Sequence, residues 1–207
     1  FRLCSSDLCR PQIWGDGDAA NGYPPGFPDD TLNAGDVIRL TNTVVSATRG
    51  AAIGFDGGDK LAASRPVAVT RMGWATGSGT SFAGANEVYD TAFWGTAFQC
   101  PVGTDISDTQ DYQMFEYAGL SIMAGAGGAT VQVDADADGT FETNAVLAEG
   151  QAFLVNGGVR LGGRVAADKP VQVDLITADV YDYYESRFIR LLPTAFWSSS
   201  LTTPVST

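Results

Sequence analysis

Two separated stretches of this chain nearly coincide. KLAASRPVAV, from Lys60 to Val69, matches RVAADKPVQV, from Arg164 to Val173: a basic residue, an aliphatic one, Ala-Ala, two polar or charged residues, Pro-Val, and a second valine. Further on, DTAFWGTAFQCPVGT, from Asp90, matches PTAFWSSSLTTPVST, from Pro193, with TAFW identical. Upstream, NAGDVIRL (from Asn33) pairs with AEGQAFLV (from Ala148), and QIWGDGDAANG (from Gln12) pairs loosely with VQVDADADG (from Val131). Matches in one order at a nearly constant offset mark an internal repeat, and a repeat restricts the chain to folds that can be built twice. The expected organisation is a first unit over 1–104, a linker over 105–114 (DISDTQDYQM) and a second unit over 115–207. The first copy carries an insertion around TRGAAIGFDGG, and the second stops at PVST where the first runs on past PVGT. A cut at a repeat boundary is therefore expected.

The local patterns within each copy are those of strands. FEYAGLSIMA, ATVQVDAD, NAVLAEG, QAFLVNG, PVQVDLIT and SRFIRLL are short, rich in β-branched or aromatic residues, and bounded by Gly, Asp or Pro. PVQVDLI alternates strictly, which predicts a half-buried strand. No segment keeps a helical period for three turns. Pro66 and Pro170 are expected to open strands, where a missing N–H costs little. Trp94 and Trp197 follow turn-like segments and are expected to plug the core of each unit, because a repeated indole signals packing. The fold class is all-β, as two tandem sandwich-like units; a propeller-like arrangement of the same strands is the alternative, although each copy is long for one blade.

Composition narrows the function. Of 207 residues, 44% are hydrophobic and 17% charged, a globular balance. Asp and Glu number 24 against 12 Lys and Arg, for a net charge of -12. Such a surface repels nucleic-acid phosphates and anionic membranes and attracts divalent cations. No apolar run is long enough to insert in a membrane. The absence of histidine excludes Ser-His-Asp and Cys-His catalysis and removes the usual zinc or copper ligand. Cys4 and Cys9, in CSSDLC, are close enough for a small-loop disulfide, which leaves Cys100 unpaired or bridging to another chain. That usage favours an oxidising, extracellular or cell-surface setting.

The run from Val133 to Glu142, VDADADGTFE, puts three aspartates on one face of an alternating segment, where like charges repel. A bound cation would offset that repulsion. Calcium takes six to eight oxygens, and Asp134, Asp136 and Asp138 stand at positions one, three and five of a loop with Gly139 at six. Thr140, at seven, offers its carbonyl, and Glu142 stands at nine. Position twelve is Ala145 and no helix flanks the loop, so this is no EF-hand but a DxDxDG loop joining two strands. The alternative is a solvated acidic turn without metal. A second candidate set in the first copy comprises Asp16, Asp18 and Asn21, with Asp29 or Asp30 to complete it.

The AGD/AEG turns, the GxRVAADKPVQV strand and the LLPTAFW…PV segment resemble the repeats of the N-terminal domain of the IgGFc-binding protein and relatives in large bacterial surface and secreted proteins. YESRFIRLLPTAFW, preceded by DKPVQVDLITAD, carries most of the likeness, which covers most of both copies. The resemblance implies an extracellular, non-catalytic, adhesive or structural module, and no functional residues are carried over from it.

Three further readings follow from the residues. The acid- and tyrosine-rich DVYDYYESRF, from Asp179, suits sugar stacking in a carbohydrate-binding module, or is simply an exposed strand and loop. Glu185 with a nearby aspartate would be the carboxylate pair of a hydrolase, but nothing sets their separation, and no catalysis is expected. Neighbouring copies, other surface proteins and glycans are the expected partners. The ends FRLCSSDLCR and LTTPVST are candidates for pairing between copies by β-augmentation, with Cys100 able to lock such a contact.

Overall fold

The computed structural model describes residues 11–14, 37, 60–63, 66–73, 84–105, 115, 117–178 and 187–200, with the backbone alone for 11–14 and 60–63. Among them are eleven strands: β1 Pro11–Trp14, β2 Lys60–Ala63, β3 Thr70–Gly73, β4 Gly84–Glu87, β5 Gly95–Gln99, β6 Tyr117–Ala124, β7 Ala129–Asp134, β8 Thr143–Leu147, β9 Ala152–Val155, β10 Arg164–Ala178 and β11 Arg187–Arg190. The only helical elements described are two single 3-10 turns, Thr91–Phe93 and Thr194–Phe196, one in each TAFW. The all-β expectation holds; a pair of sandwiches is not shown.

Seven strands form one strongly bent antiparallel sheet around β10, in the order β8-β7-β10-β6-β9, with β5 and β11 also paired to β10. Val171 faces both Gly95 and Ala124, so β5 and β6 lie on opposite edges of β10. The first part of β10 lies between β5 and β7, and the second between β11 and β6. The register against β5 shifts between Ala166 and Val171. Pro170 falls in that interval and therefore sits inside a strand instead of opening one, because a bulge releases the ladder bond that proline lacks. Pro66 lies between β2 and β3 and opens neither.

The main core is built from alternate residues: Leu120 and Ile122 of β6, Val131 and Val133 of β7, Val165, Val171, Val173 and Leu175 of β10, and Phe98 of β5, all at most 3% exposed. Burying each such side chain contributes roughly 1.5–3 kcal/mol. PVQVDLI is buried on both faces, not one. Its other face carries Gln172, Asp174 and Ile176. There Ile176 packs with Tyr117, while Arg71 of β3 reaches Asp174 and Asn86 of β4 donates to the Phe188 carbonyl at 2.6 Å. The alternation was real, but the β3–β4 hairpin covers its polar side.

The copies repeat their pairings. In β1–β2, Trp14, Ile13, Gln12 and Pro11 oppose Lys60, Leu61, Ala62 and Ala63. In β7–β10, Asp134, Val133, Gln132 and Val131 oppose Arg164, Val165, Ala166 and Ala167. The β3–β4 pairing, Thr70 to Glu87 through Gly73 to Gly84, repeats as Asp174 to Arg190 through Thr177 to Arg187. Each ladder is extended by an equivalent bond, Val88 N–H to Val69 and Leu191 N–H to Val173. The two TAFW turns share backbone angles, and Phe93 lies 5.9 Å from Phe196.

The tryptophans do not occupy equivalent surroundings. Trp94 is half-buried with its ring over Gly125, whereas Trp197 is 56% exposed, so the expectation of two core plugs fails. The difference follows from the next strand: β5 is docked on β10 and carries Trp94 down with it, and no described strand follows Trp197. The linker region begins at Asp105, whose N–H donates to Phe115 at 3.2 Å; residues 106–114 lie outside the described residues.

Candidate metal centre

β7 delivers Asp134 at its last position and the chain turns at once through residues 135–142 into β8. The turn is held by its own carboxylates. Asp136 Oδ1 accepts from Asp138 N–H at 3.2 Å, Asp138 Oδ1 from Thr140 N–H at 2.7 Å, and Glu142 Oε2 from Ala135 N–H at 3.3 Å. Short polar side chains at alternate positions bond to the backbone two residues on, which is why this spacing forms a turn. Ala137 and Gly139 take positive φ of 64° and 101°; the glycine does so without strain. Gly163 lets the neighbouring chain approach, since a Cβ there would lie 2.7 Å from the Ala135 carbonyl oxygen.

The turn brings together one carboxylate oxygen from each of Asp134, Asp136, Asp138 and Glu142, all within 4.8 Å of one another. Asp134 is fully buried and the other three are exposed. Oδ2 of Asp134 accepts from Arg164 Nε at 2.9 Å, Arg164 Nη2 at 2.6 Å and Gly139 N–H at 3.2 Å. Its Oδ1 is buried and accepts no hydrogen bond among the described residues. Burial opposes ionisation of Asp134, but the hydrogen bonds and charge of Arg164, with the N–H groups of Gly139 and Ala137, outweigh it and hold the carboxyl below its usual range. The Arg164 guanidinium is itself over the Phe141 ring, 5.3 Å from its centroid.

Calcium–oxygen distances of 2.3–2.6 Å allow two ligands on one ion to lie up to about 5 Å apart. The spread of these four oxygens falls within that diameter. A buried carboxylate oxygen without a donor is costly, and a cation is one partner that removes the cost. All four donors are hard oxygens, the set preferred by calcium, magnesium or manganese over softer metals. The arrangement can hold a metal ion. Thr140 takes part through its N–H. Arg164, which sequence reasoning missed, belongs to the site; the signal for it was a basic residue opening the repeated strand, at the place of Lys60 in the first copy.

The other candidates fare differently. Asp16, Asp18, Asn21, Asp29 and Asp30 lie outside the described residues. The β1 register nevertheless places Trp14 where Asp134 stands, so among the described residues no carboxylate holds that place in the first copy. Cys4 and Cys9, the segment 179–186 with Glu185, and the ends 1–10 and 201–207 also lie outside. Cys100 is free, 1% exposed, and packed in the main core, so it cannot lock a contact between chains. Burial pushes its thiol up to about 12, away from the reactive thiolate. Among the described residues no helix is long and apolar enough to cross a membrane.

The fold and site thus define an all-β protein with an acidic hairpin suited to a hard cation. Compared with known protein families, curated proteins and solved structures, the chain matches none.

Proposed function

We propose that this chain is an extracellular structural or adhesive module, part of a larger surface, matrix or filament-forming protein, and that calcium at Asp134, Asp136, Asp138 and Glu142 rigidifies its second copy. One observation carries the metal reading: the buried, unpartnered Oδ1 of Asp134 amid three further carboxylates within 4.8 Å. Thr140 is the proposed source of a carbonyl ligand. Calcium is favoured over magnesium because four protein oxygens in one turn suit its larger, less demanding shell, whereas magnesium keeps several waters. An ion here would tie β7 to β8 at the end of the sheet, a mechanical role. Support for a non-catalytic module comes from the absence of histidine and from the resemblance to secreted repeats. The direct test is thermal melting with calcium, with magnesium and with chelator. A ligand that binds only the folded chain stabilises it by about 2.7 kcal/mol at a hundredfold excess over its dissociation constant. Melting temperature should rise with calcium, and Asp136→Ala should abolish the rise; an unchanged response in that variant rejects the site.

A further inference from the structure

Strand β5 leaves its own copy. It directly follows the first TAFW, yet it pairs with β10 of the second copy: Gln99 opposes Arg164, Phe98 opposes Val165 and Ala97 opposes Ala166. On the other edge of β10, Arg164 opposes Asp134. Gln99, Arg164 and Asp134 therefore stand in one row across three strands, and the end of β5 lies at the same end of the sheet as the acidic turn.

Residues 160–163 strap the two together. On one side the Arg160 N–H donates to the Ala135 carbonyl of the turn at 2.9 Å. On the other, Leu161 N–H donates to the Gly103 carbonyl at 2.7 Å, Gly162 N–H donates to that of Cys100 at 3.0 Å, and the Gly163 carbonyl accepts from Cys100 N–H at 2.8 Å. Gly163 N–H closes the strap on the Arg160 carbonyl at 2.9 Å. The fit is tight on both sides. A Cβ would lie 2.7 Å from the Ala135 carbonyl oxygen at Gly163, 3.4 Å from the Ala137 Cβ at Gly162, and 2.7 Å from the Val159 carbonyl oxygen at Gly103. Parts packed this closely and bonded in series move together, so a shift of the turn is passed through the strap to the end of β5.

Without an ion the turn repels itself. One oxygen from each of four carboxylates lies within 4.8 Å of the others, and of the four Arg164 bonds to Asp134. The strand at the far side of the strap has a simple alternative state, in which Phe98 and Cys100, 3% and 1% exposed, leave the core.

We infer that the ion is a latch for β5: its presence at the turn holds the strand on β10 through residues 160–163, and its removal releases the strand. The inference rests on the calcium reading and extends it from the β7–β8 hairpin to the joint between the copies, since β5 is the strand by which the first TAFW reaches the second copy. The coupling is reciprocal: a docked β5 tightens the ion by the factor by which the ion favours docking.

The test uses the full chain. Calorimetric titration with calcium measures binding. Hydrogen exchange is then followed residue by residue, in calcium and in chelator, at the Gly162 and Cys100 amides and at the amides of β6. In chelator, Gly162 and Cys100 should exchange faster than β6, because β5 opens while the rest of the sheet stays closed. Calcium should slow these two amides by about fivefold or more. Arg160→Pro removes the N–H that ties the strap to the turn; calcium should still bind, and Cys100 exchange should no longer respond to it. The comparison in the unmodified chain decides the matter without that variant. Calcium that binds without slowing Gly162 and Cys100 overturns the latch and leaves the calcium reading standing. So does exchange of these amides in chelator that is no faster than that of β6, since β5 then opens only with the whole fold. A slowing that survives in Arg160→Pro overturns the strap as the route. If calcium does not bind, the reading and the latch fall together.

Discussion

Asp134 has two oxygens with opposite situations. Oδ2 is saturated by Arg164 and Gly139, while Oδ1 is buried without a donor. Arg164 therefore acts as a resident counter-charge to Asp134 at the turn, and Oδ1 is the oxygen of Asp134 that the proposed ion would take. Replacing Arg164 removes that charge, so the proposed ion would no longer share the carboxylate with a guanidinium. Arg164→Gln should lower the melting temperature in chelator and enlarge the rise produced by calcium. Melting curves of the variant with and without calcium check this; a calcium response smaller than that of the unmodified chain would show that Arg164 serves the ion only as a platform. The spacing of the three aspartates and Gly139 was legible in the sequence because a turn of this kind is closed by neighbours two residues apart. Arg164 was not, since the residue that meets Asp134 lies thirty positions on and is brought there by the β7–β10 register.

Among the elements, the β10–β11 hairpin carries a charge pair of unusual burial. The side chains of Arg190 and Asp174 are 6% and 4% exposed and in direct contact, and Arg71 of β3 approaches the same carboxylate at 3.5 Å. Arg71 also lies over the Phe188 ring, 4.2 Å from its centroid. Desolvation lowers the Arg71 pKa first, and repulsion from Arg190 adds to that, while Asp174 opposes both. One carboxylate thus holds two guanidinium groups and clamps the β3–β4 hairpin onto β10 and β11. Removing one partner of a buried pair leaves the other uncompensated, at a cost of about 3–5 kcal/mol. Asp174→Asn, which keeps the shape, should lose about that much in urea unfolding, and Asp174→Asn/Arg190→Met should recover part of it. A loss under about 1 kcal/mol in the single variant would mean that water reaches the pair. The alternation of PVQVDLI pointed to a strand with Gln172 and Asp174 on its wet face. It held no sign that another hairpin would cover that face, because the covering residues come from a separate strand pair.

For the whole molecule, the end of β5 is sealed by the core. Cys100 donates its N–H to Gly163 at 2.8 Å and accepts from Gly162 at 3.0 Å, and its thiol is buried. Its pKa is raised from 9.0 to about 12 by burial. A folded-state pKa raised above the unfolded value contributes stability that is fully present below the unfolded pKa and is lost as pH rises toward the folded one. Melting temperature should therefore decline between about pH 9 and pH 12, and Cys100→Ala should flatten that part of the profile. At pH 8, labelling of Cys100 by a thiol reagent should be far slower than in denaturant, because the reagent waits for β5 to leave β10. Rapid labelling of the folded chain would show that β5 is only loosely held.

The sequence by itself determined the strand character, the order of the repeated motifs and the acidic turn. Each of these is written in residues a few positions apart: alternation along one strand, proline and glycine at its ends, carboxylates that bond to their own backbone. Even the matching registers of β1–β2 and β7–β10 follow from repeated local patterns. Only the tertiary structure decided that β5 crosses to the second copy, that Pro170 lies within a bend of β10, that Trp94 is covered while Trp197 is not, and that Asp134 is the buried member of its cluster. The physical reason is that every strand offers the same backbone donors and acceptors along both edges. Which edge is filled, and by which strand, is settled by the packing of side chains far apart in the chain.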